Sequence, residues 1–271
     1  MLFDTPFCAD RYDTPEDYPR SPWEYLLLGS RYSFYLRNFL VFAKAGKTAE
    51  AGKLTAERQA KFALENIRIT ESCGGRIHLR GLDNLSKFSE PAVIIGNHMS
   101  LLETALLHAF VRPRRDFCFV IKRSLLDVPY FGHIMRFMEC IPVDRVNPRE
   151  DFKTVMEIGT ARLKAGKSVV IFPQSTRSAV FDPAQFNTIG IKLARHAGAA
   201  AIPMALRTDF LGNGKLFKDL GPIRRHNPVW FEFGTPIAKV GGSGKEEHEE
   251  IVRFIAGRVK EWGGQVRENI G

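Results

Sequence analysis

Apolar and polar positions follow two rhythms along this chain. Short runs rich in β-branched, aromatic and small apolar residues recur at 76–79, 92–96, 117–121, 140–143, 168–172, 200–206 and 229–233. Their lengths suit strands. Between them, residues 101–110, 149–164 and 188–197 carry apolar positions at three-to-four-residue spacing, and 246–262 adds a last such segment. Strands alternating with helices predict an α/β fold, with a largely parallel central sheet flanked by helices. No internal repeat interrupts this order, and the glycines at 241–244 form a loop before the last helix.

The first fifty residues read differently. Pro6, Pro15, Pro19 and Pro22 stand among acidic residues, so 1–22 is expected to be irregular. Over 23–43, a 100° turn per residue gathers Tyr25, Leu28, Tyr32, Tyr35, Leu36, Phe39 and Phe42 on one face, and Ser30, Ser33, Arg37 and Lys44 on the other. Such an aromatic amphipathic helix suits a membrane interface. Docking on the protein's own core is the competing expectation. Residues 46–52 read as a linker, and 55–69 resume a helical pattern. The division predicted is therefore an N-terminal segment, 1–54, and one α/β domain, 55–271.

Composition narrows the function classes. Apolar residues make up 44% and charged residues 25%, which excludes disorder, collagen and small disulfide scaffolds. Lys and Arg number 39 against 30 Asp and Glu, a formal charge of +9. That balance suggests anionic lipid, nucleic acid or a phosphorylated substrate as partner. The longest stretch free of charge is 91–102, twelve residues, well short of the roughly 20 that span a bilayer. Cys8, Cys73, Cys118 and Cys140 show no CxxC pair, and 1–22 lacks the basic-then-apolar pattern of a secretion signal. Reduced thiols and a cytoplasmic setting are expected. Arg112, Arg114 and Arg115 read as a solvated basic loop.

Several familiar signatures fail. Gly166-Lys167-Ser168 follows a helix and precedes a strand, with Ala161 where a P-loop needs Gly. There is no GxSxG elbow, no HExxH and no zinc-spaced cluster, so no metal or cofactor is expected. Without an RNP strand or helix-turn-helix, nucleic acid is not expected either.

Four segments do stand out, each at or just after a predicted strand end. They are Asn97-His98-Met99-Ser100-Leu101-Leu102-Glu103, Ile141-Pro142-Val143-Asp144-Arg145, Phe172-Pro173-Gln174-Ser175-Thr176-Arg177-Ser178, and Ala201-Ile202-Pro203-Met204-Ala205. In open α/β sheets, ligands bind outside the carboxyl ends of the strands. A His, a carboxylate and two Arg would meet there.

This set resembles the glycerolipid acyltransferase family, the family of 1-acylglycerol-3-phosphate acyltransferase. Asn97-His98 with Glu103 matches its NHxxxxD motif, an HX4D/E pattern here. Val143-Asp144-Arg145 matches its second motif, FPQSTRS at 172–178 its FPEGTRS, and Ile202-Pro203 its fourth. Lys122-Arg123-Ser124-Leu125, then Pro129 and Gly132, also resemble the stretch between the first two. The likeness covers about 76–236, so 55–271 would be the acyltransferase domain.

Moving an acyl group from a thioester to an alcohol needs a base, and neutral His is suited to that near pH 7. A carboxylate on the other ring nitrogen orients it. His98 and Glu103 supply that pair as catalytic residues. Ser100-x-x-Glu103 is equally a capping box, so Glu103 has a competing task. Arg145 and Arg177, with Lys122, would grip an acceptor phosphate, and Gln174, Ser175 and Thr176 complete the expected substrate-binding set. Gln174 stands where the family has Glu, and Ser175 where it has Gly. The resemblance implies direct attack by the acceptor, without an acyl-enzyme. It implies acyl-CoA or acyl-carrier protein as donor and a lysophospholipid, foremost lysophosphatidic acid, as acceptor. The setting expected is peripheral, on the cytoplasmic face of the membrane. Two alternatives stand beside this: another lysolipid or a non-phosphate acceptor, and an inactive lipid-binding protein.

Overall fold

All seven apolar runs form strands, within one residue of their expected bounds, in a computed structural model that describes residues 3–27, 29–174, 176–214 and 218–267. Among these residues the chain begins with β1 (Tyr12–Asp13), α1 (Pro22–Leu26), α2 (Arg31–Glu50) and α3 (Ala56–Ser72). The alternating region holds β2 (Ile77–Arg80), β3 (Ala92–Gly96), α4 (Leu102–Phe110), β4 (Phe117–Lys122), α5 (Phe131–Phe137) and β5 (Ile141–Val143). It continues with α6 (Pro148–Lys164), β6 (Ser168–Ile171), β7 (Val180–Phe181) and α7 (Ile189–Ala197). Then come β8 (Ala200–Arg207), β9 (Val229–Phe233), α8 (Lys245–Glu261) and β10 (Gln265–Val266).

One sheet takes the order β1-β2-β9-β8-β3-β6-β4-β5. From β8 to β5 every neighbouring pair is parallel. The far edge is mixed: β9 runs antiparallel to β8, β2 parallel to β9, and β1 antiparallel to β2. The short pair β7 and β10 lies apart. Helices pack against the sheet, α7 on β3, α6 on β6 and α8 on β8. With both faces covered, β3 is buried throughout, which is why it reads as an unbroken apolar run rather than an alternating one. Parallel alignment brings the carboxyl ends of β3, β5, β6 and β8 to one edge. All four motif segments are gathered at that edge or in the strands that lead to it.

The N-terminal segment departs from its expected form. Gly29 takes a φ of +65°, separating α1 from α2. Helix α2 then runs through Gly46 to Glu50, so 46–52 is not a linker. A Cβ on Gly46 would lie 2.3 Å from the Cβ of Tyr130. Gly46 therefore marks a close approach of α2 to the start of α5, not a flexible joint. Phe34, Val41 and Ala45 turn to the core, and Tyr35 and Phe42 are half-buried. Tyr32, Leu36, Phe39 and Leu40 remain outside. Leu28 lies outside the described residues. The helix is thus docked on the core and apolar outward at once. Residues 3–22 are tied down rather than loose. β1 joins the sheet, Phe7 packs edge-on against Phe110 with centroids 6.1 Å apart, and the Arg76 guanidinium donates to the Pro15 and Glu16 carbonyls.

The basic run after α4 is also not a solvated loop. Arg115 is buried and donates to the carbonyls of Leu85 (2.6 Å) and Phe88 (2.9 Å), while Arg112 is buried between Asp116 and the Phe117 carbonyl. These guanidiniums tie loops to the sheet, since a buried Arg must satisfy its donors. Cys73, Cys118 and Cys140 are buried free thiols, and burial pushes Cys118 up to about 12 and Cys140 to about 11. Among the described residues, no helix is long and apolar enough to cross a membrane.

Candidate active site

The loop that leaves β3 is fastened before it reaches His98. The Asn97 amide donates to the Leu206 carbonyl and accepts from the Leu206 N–H, both at 2.8 Å, which pins the end of β3 to β8. His98 stacks flat on Phe172, with ring centroids 4.4 Å apart. Its N–H donates to Gln174 Oε1 (2.7 Å), and its carbonyl accepts from the Ser178 N–H (2.9 Å). The third motif segment therefore braces the first. The Gln174 oxygen is engaged by the His98 backbone, and a carboxylate there would accept the same bond.

Glu103 performs both tasks that its position in the sequence offered. Oε2 accepts from His98 Nδ1. Oε1 accepts from the N–H groups of Met99 and Ser100, each at 2.8 Å, and from the Thr208 hydroxyl. The side chain is fully buried, so these four donors replace the water a carboxylate would otherwise hold. Because a carboxylate only accepts, Nδ1 of His98 carries a proton, and in the neutral ring Nε2 then keeps its lone pair. The ring is 18% exposed, enough for a reactant to approach.

The cations gather beyond this pair. Arg177, with a side chain only 15% exposed, donates to Asp219 at 2.5 Å. The Lys218 amine donates to the Thr176 hydroxyl. Desolvation lowers the proton affinity of Lys218, and the charges of Arg177 and Arg145 lower it further, against the opposing pull of Asp219. Arg145, Arg177 and Lys218 follow β5, β6 and β8, so all three lie beyond carboxyl ends of the sheet's strands. Arg145 sits at a φ of +61°, and its N–H donates to Asp151 Oδ2 (2.8 Å) in the first turn of α6. Lys122 is exposed at the end of β4, opposite Val143 of β5. Ser175 lies outside the described residues.

Two residues here escaped the sequence reading. Thr208 follows the fourth motif segment at a strand's carboxyl end, the one signal that marked the position. Lys218 lies in the β8–β9 loop with no spacing rule to connect it with Thr176. A small cleft of about 60 Å³ opens beside Gln174, Thr176 and Ser178. A larger one, about 990 Å³, lies between Trp230, Trp262, Phe254 and Arg258, with neither His98 nor Arg177 in its lining. Its walls carry charges of both signs, and His98 lies outside it.

Comparison with known proteins bears on the family and the fold. The acyltransferase family model matches residues 76–207. A 1-acyl-sn-glycerol-3-phosphate acyltransferase from Pseudomonas aeruginosa is 34% identical over 153 residues, 56% of this chain and 57% of that protein. The chloroplastic 1-acyl-sn-glycerol-3-phosphate acyltransferase LPAT1 of Arabidopsis thaliana is 31% identical over 144 residues, 52% of this chain and 37% of that one. The chain thus spans about half the length of the curated relatives it matches. The crystal structure of the 1-acyl-sn-glycerophosphate (LPA) acyltransferase from Thermotoga maritima superposes with a TM-score of 0.67 at 18% identity, over 90% of this chain and 98% of that one, which shows a shared fold. All four motif segments lie inside the matched residues, and region 76–207 of this chain belongs to the acyltransferase family.

Proposed function

We propose that the protein is an O-acyltransferase that moves a fatty acyl group from acyl-CoA or acyl-carrier protein to the hydroxyl of lysophosphatidic acid. One observation carries this reading: the His98–Glu103 pair stands at the same sheet edge as the Arg145, Arg177 and Lys218 cations. Nε2 of His98 takes the proton of the acceptor hydroxyl as its oxygen attacks the thioester carbonyl. Glu103 holds the ring in the required tautomer and balances the imidazolium that forms. The tetrahedral intermediate then collapses, the C–S bond breaks, and the imidazolium returns its proton to the departing thiolate. Arg145, Arg177 and Lys218 hold the acceptor phosphate, with Thr176 beside them and Lys122 at the rim. The phosphate displaces Asp219 from Arg177, exchanging one anionic partner for another.

The catalytic unit is 55–271, and residues 1–54 present it to the cytoplasmic face of a membrane. Trp23, Tyr25 and Leu26 of α1 and Tyr32, Leu36, Phe39 and Leu40 of α2 are all exposed, from 51% for Leu36 to 72% for Tyr25. Arg31, Lys44 and Lys47 are exposed on α2 as well. Aromatic and aliphatic side chains flanked by cations suit the headgroup boundary of an anionic bilayer.

Thiol release from acyl-CoA, measured against a panel of lysolipids, tests the reaction. Turnover is expected with lysophosphatidic acid, and His98→Ala is expected to lower kcat by about 100- to 10,000-fold. Turnover only with a different lysolipid would move the acceptor assignment. No turnover with either donor would leave a lipid-binding protein on an acyltransferase fold.

A further inference from the structure

Glu103 is held mostly by its own loop. The N–H groups of Met99 and Ser100 and the ring of His98 all belong to the segment that carries it. If that segment shifts, these donors and the carboxylate shift together, and none of the three bonds relates the carboxylate to the rest of the sheet. Among the described residues, Thr208 supplies the bond that comes from elsewhere. It stands one position past the end of β8 and just beyond the segment that the family model matches. Its partner is 105 residues away in sequence.

The direction of the bonds follows from the atoms. A carboxylate cannot donate, so the single Thr208 hydroxyl proton points to Glu103 Oε1. Ser100 Oγ, 3.0 Å from Thr208 Oγ1, must then donate its own proton to Thr208. Ser100 Oγ in turn accepts from the Leu102 N–H at 3.1 Å. The chain runs from the first turn of α4 through Ser100 and Thr208 to Glu103, and through the other carboxylate oxygen to His98. Ser100, Thr208 and Glu103 are each buried, and such chained bonds strengthen one another where water is excluded. Three donors on Oε1 stop the carboxylate from rotating and leave Oε2 to His98. The Asn97–Leu206 clamp ties the same two strands a few residues away, so the strand end that carries Thr208 is itself fixed.

We propose that Thr208 is a positioning residue of the acyl-transfer site, its hydroxyl referring the Glu103 carboxylate, and through it His98, to the end of β8. Thr208 does not touch substrate, and the proposal rests on the acyltransferase reading above. The side-chain oxygen matters rather than the bulk, because valine would fill the same space and leave Oε1 one donor short.

Steady-state thiol release with acyl-CoA and lysophosphatidic acid, on the full chain, reads the effect. Thr208→Val is expected to lower kcat by about 10- to 100-fold, with KM for both substrates within about two-fold of wild type. Thr208→Ser should restore most of the lost kcat. Should Thr208→Val fail to fold, as judged by circular dichroism and thermal melting, the comparison of Thr208→Ala with Thr208→Ser carries the same contrast. Retention of kcat by Thr208→Val, or a Thr208→Ser variant as slow as Thr208→Val or Thr208→Ala, would overturn the proposal. A readout independent of turnover separates it from the function itself. The His98 Nδ1 proton in hydrogen-bond contact with Glu103 should give a downfield proton NMR signal that shifts or broadens in Thr208→Val. An unmoved signal sinks the positioning role. A wild type that releases no thiol, while that signal behaves as expected, sinks only the acyltransferase reading.

Discussion

Glu103 gives one oxygen to the loop backbone and the other to His98, so the cap and the pairing with His98, rivals in the sequence, coexist on one side chain. Both were legible because they depend on short spacings: three residues back to Ser100, five back to His98. Glu103→Gln is therefore expected to harm both tasks. Whichever way the amide turns, its NH₂ faces a donor, either the His98 ring N–H or the cluster on Oε1. The stability cost should be about 1–3 kcal/mol, read by urea denaturation. The drop in kcat should exceed about 100-fold. A variant that lost stability alone would reduce Glu103 to a cap, and one that lost rate alone would remove the cap. Thr208 and Lys218 were not legible, since their partners lie 105 and 42 residues away and no local pattern encodes such a distance.

Elements taken singly explain where periodicity succeeds and where it misleads. The strand runs were plain because each needs only a few apolar residues, buried on both faces in β3 and β6 and mainly on one face in β2 and β9. Helix α2 misled because two faces are apolar, and a sum over 100° steps cannot tell which of them meets the core. Packing decides: Gly46 allows α2 to press on Tyr130, the residue before α5, with Phe34, Val41 and Ala45 turned inward. Helix α4 carries a testable consequence of burial. His108 is fully enclosed, stacked on Phe117 at 4.9 Å with the Arg112 Nε donating to its Nδ1 at 3.4 Å and Gln59 of α3 opposite its Nε2. Desolvation, and secondarily the Arg112 charge, hold its proton affinity well below the ordinary value of 6.5. In the unfolded chain the same ring charges near 6.5. The unfolded state therefore binds the extra proton, and stability is full above that pH and declines below it, by at most about 1.4 kcal/mol per pH unit from this residue. Urea denaturation at about pH 7.5 and 5.5 should show the decline in wild type and a shallower one in His108→Gln. Equal slopes would mean that the ring charges freely in the folded protein.

At the scale of the whole molecule, the +9 charge resolves into groups with different work. Arg112 and Arg115 are consumed inside the fold. Arg145, Arg177 and Lys218 lie beyond the carboxyl ends of β5, β6 and β8, and Arg31, Lys44 and Lys47 are exposed on α2, which also carries the exposed apolar residues. Deleting residues 1–44 would take Phe7 and Phe34 out of the core and confuse folding with binding. Surface variants avoid that. Leu36→Ser combined with Phe39→Ser should sediment less with anionic vesicles at both low and high salt, because the lost contribution is apolar. Unchanged sedimentation at low salt that vanishes at high salt would assign the attachment to the basic surface instead.

What the sequence determined by itself is the local and the repetitive: strands, most helices, the alternation that makes a parallel sheet, and four motif segments at strand ends or in the strands that lead to them. Each rests on contacts within a few residues, or on the single rule that parallel strands end on one edge. Tertiary structure alone decided the rest: which face of α2 is covered, that Arg112 and Arg115 are buried, that Gln174 braces His98, and that Thr208 reaches Glu103. Those outcomes depend on which distant segments become neighbours. Neighbourhood is set by the packing of whole elements, through volumes and close approaches such as Gly46 against Tyr130, rather than by any stretch of chain read alone.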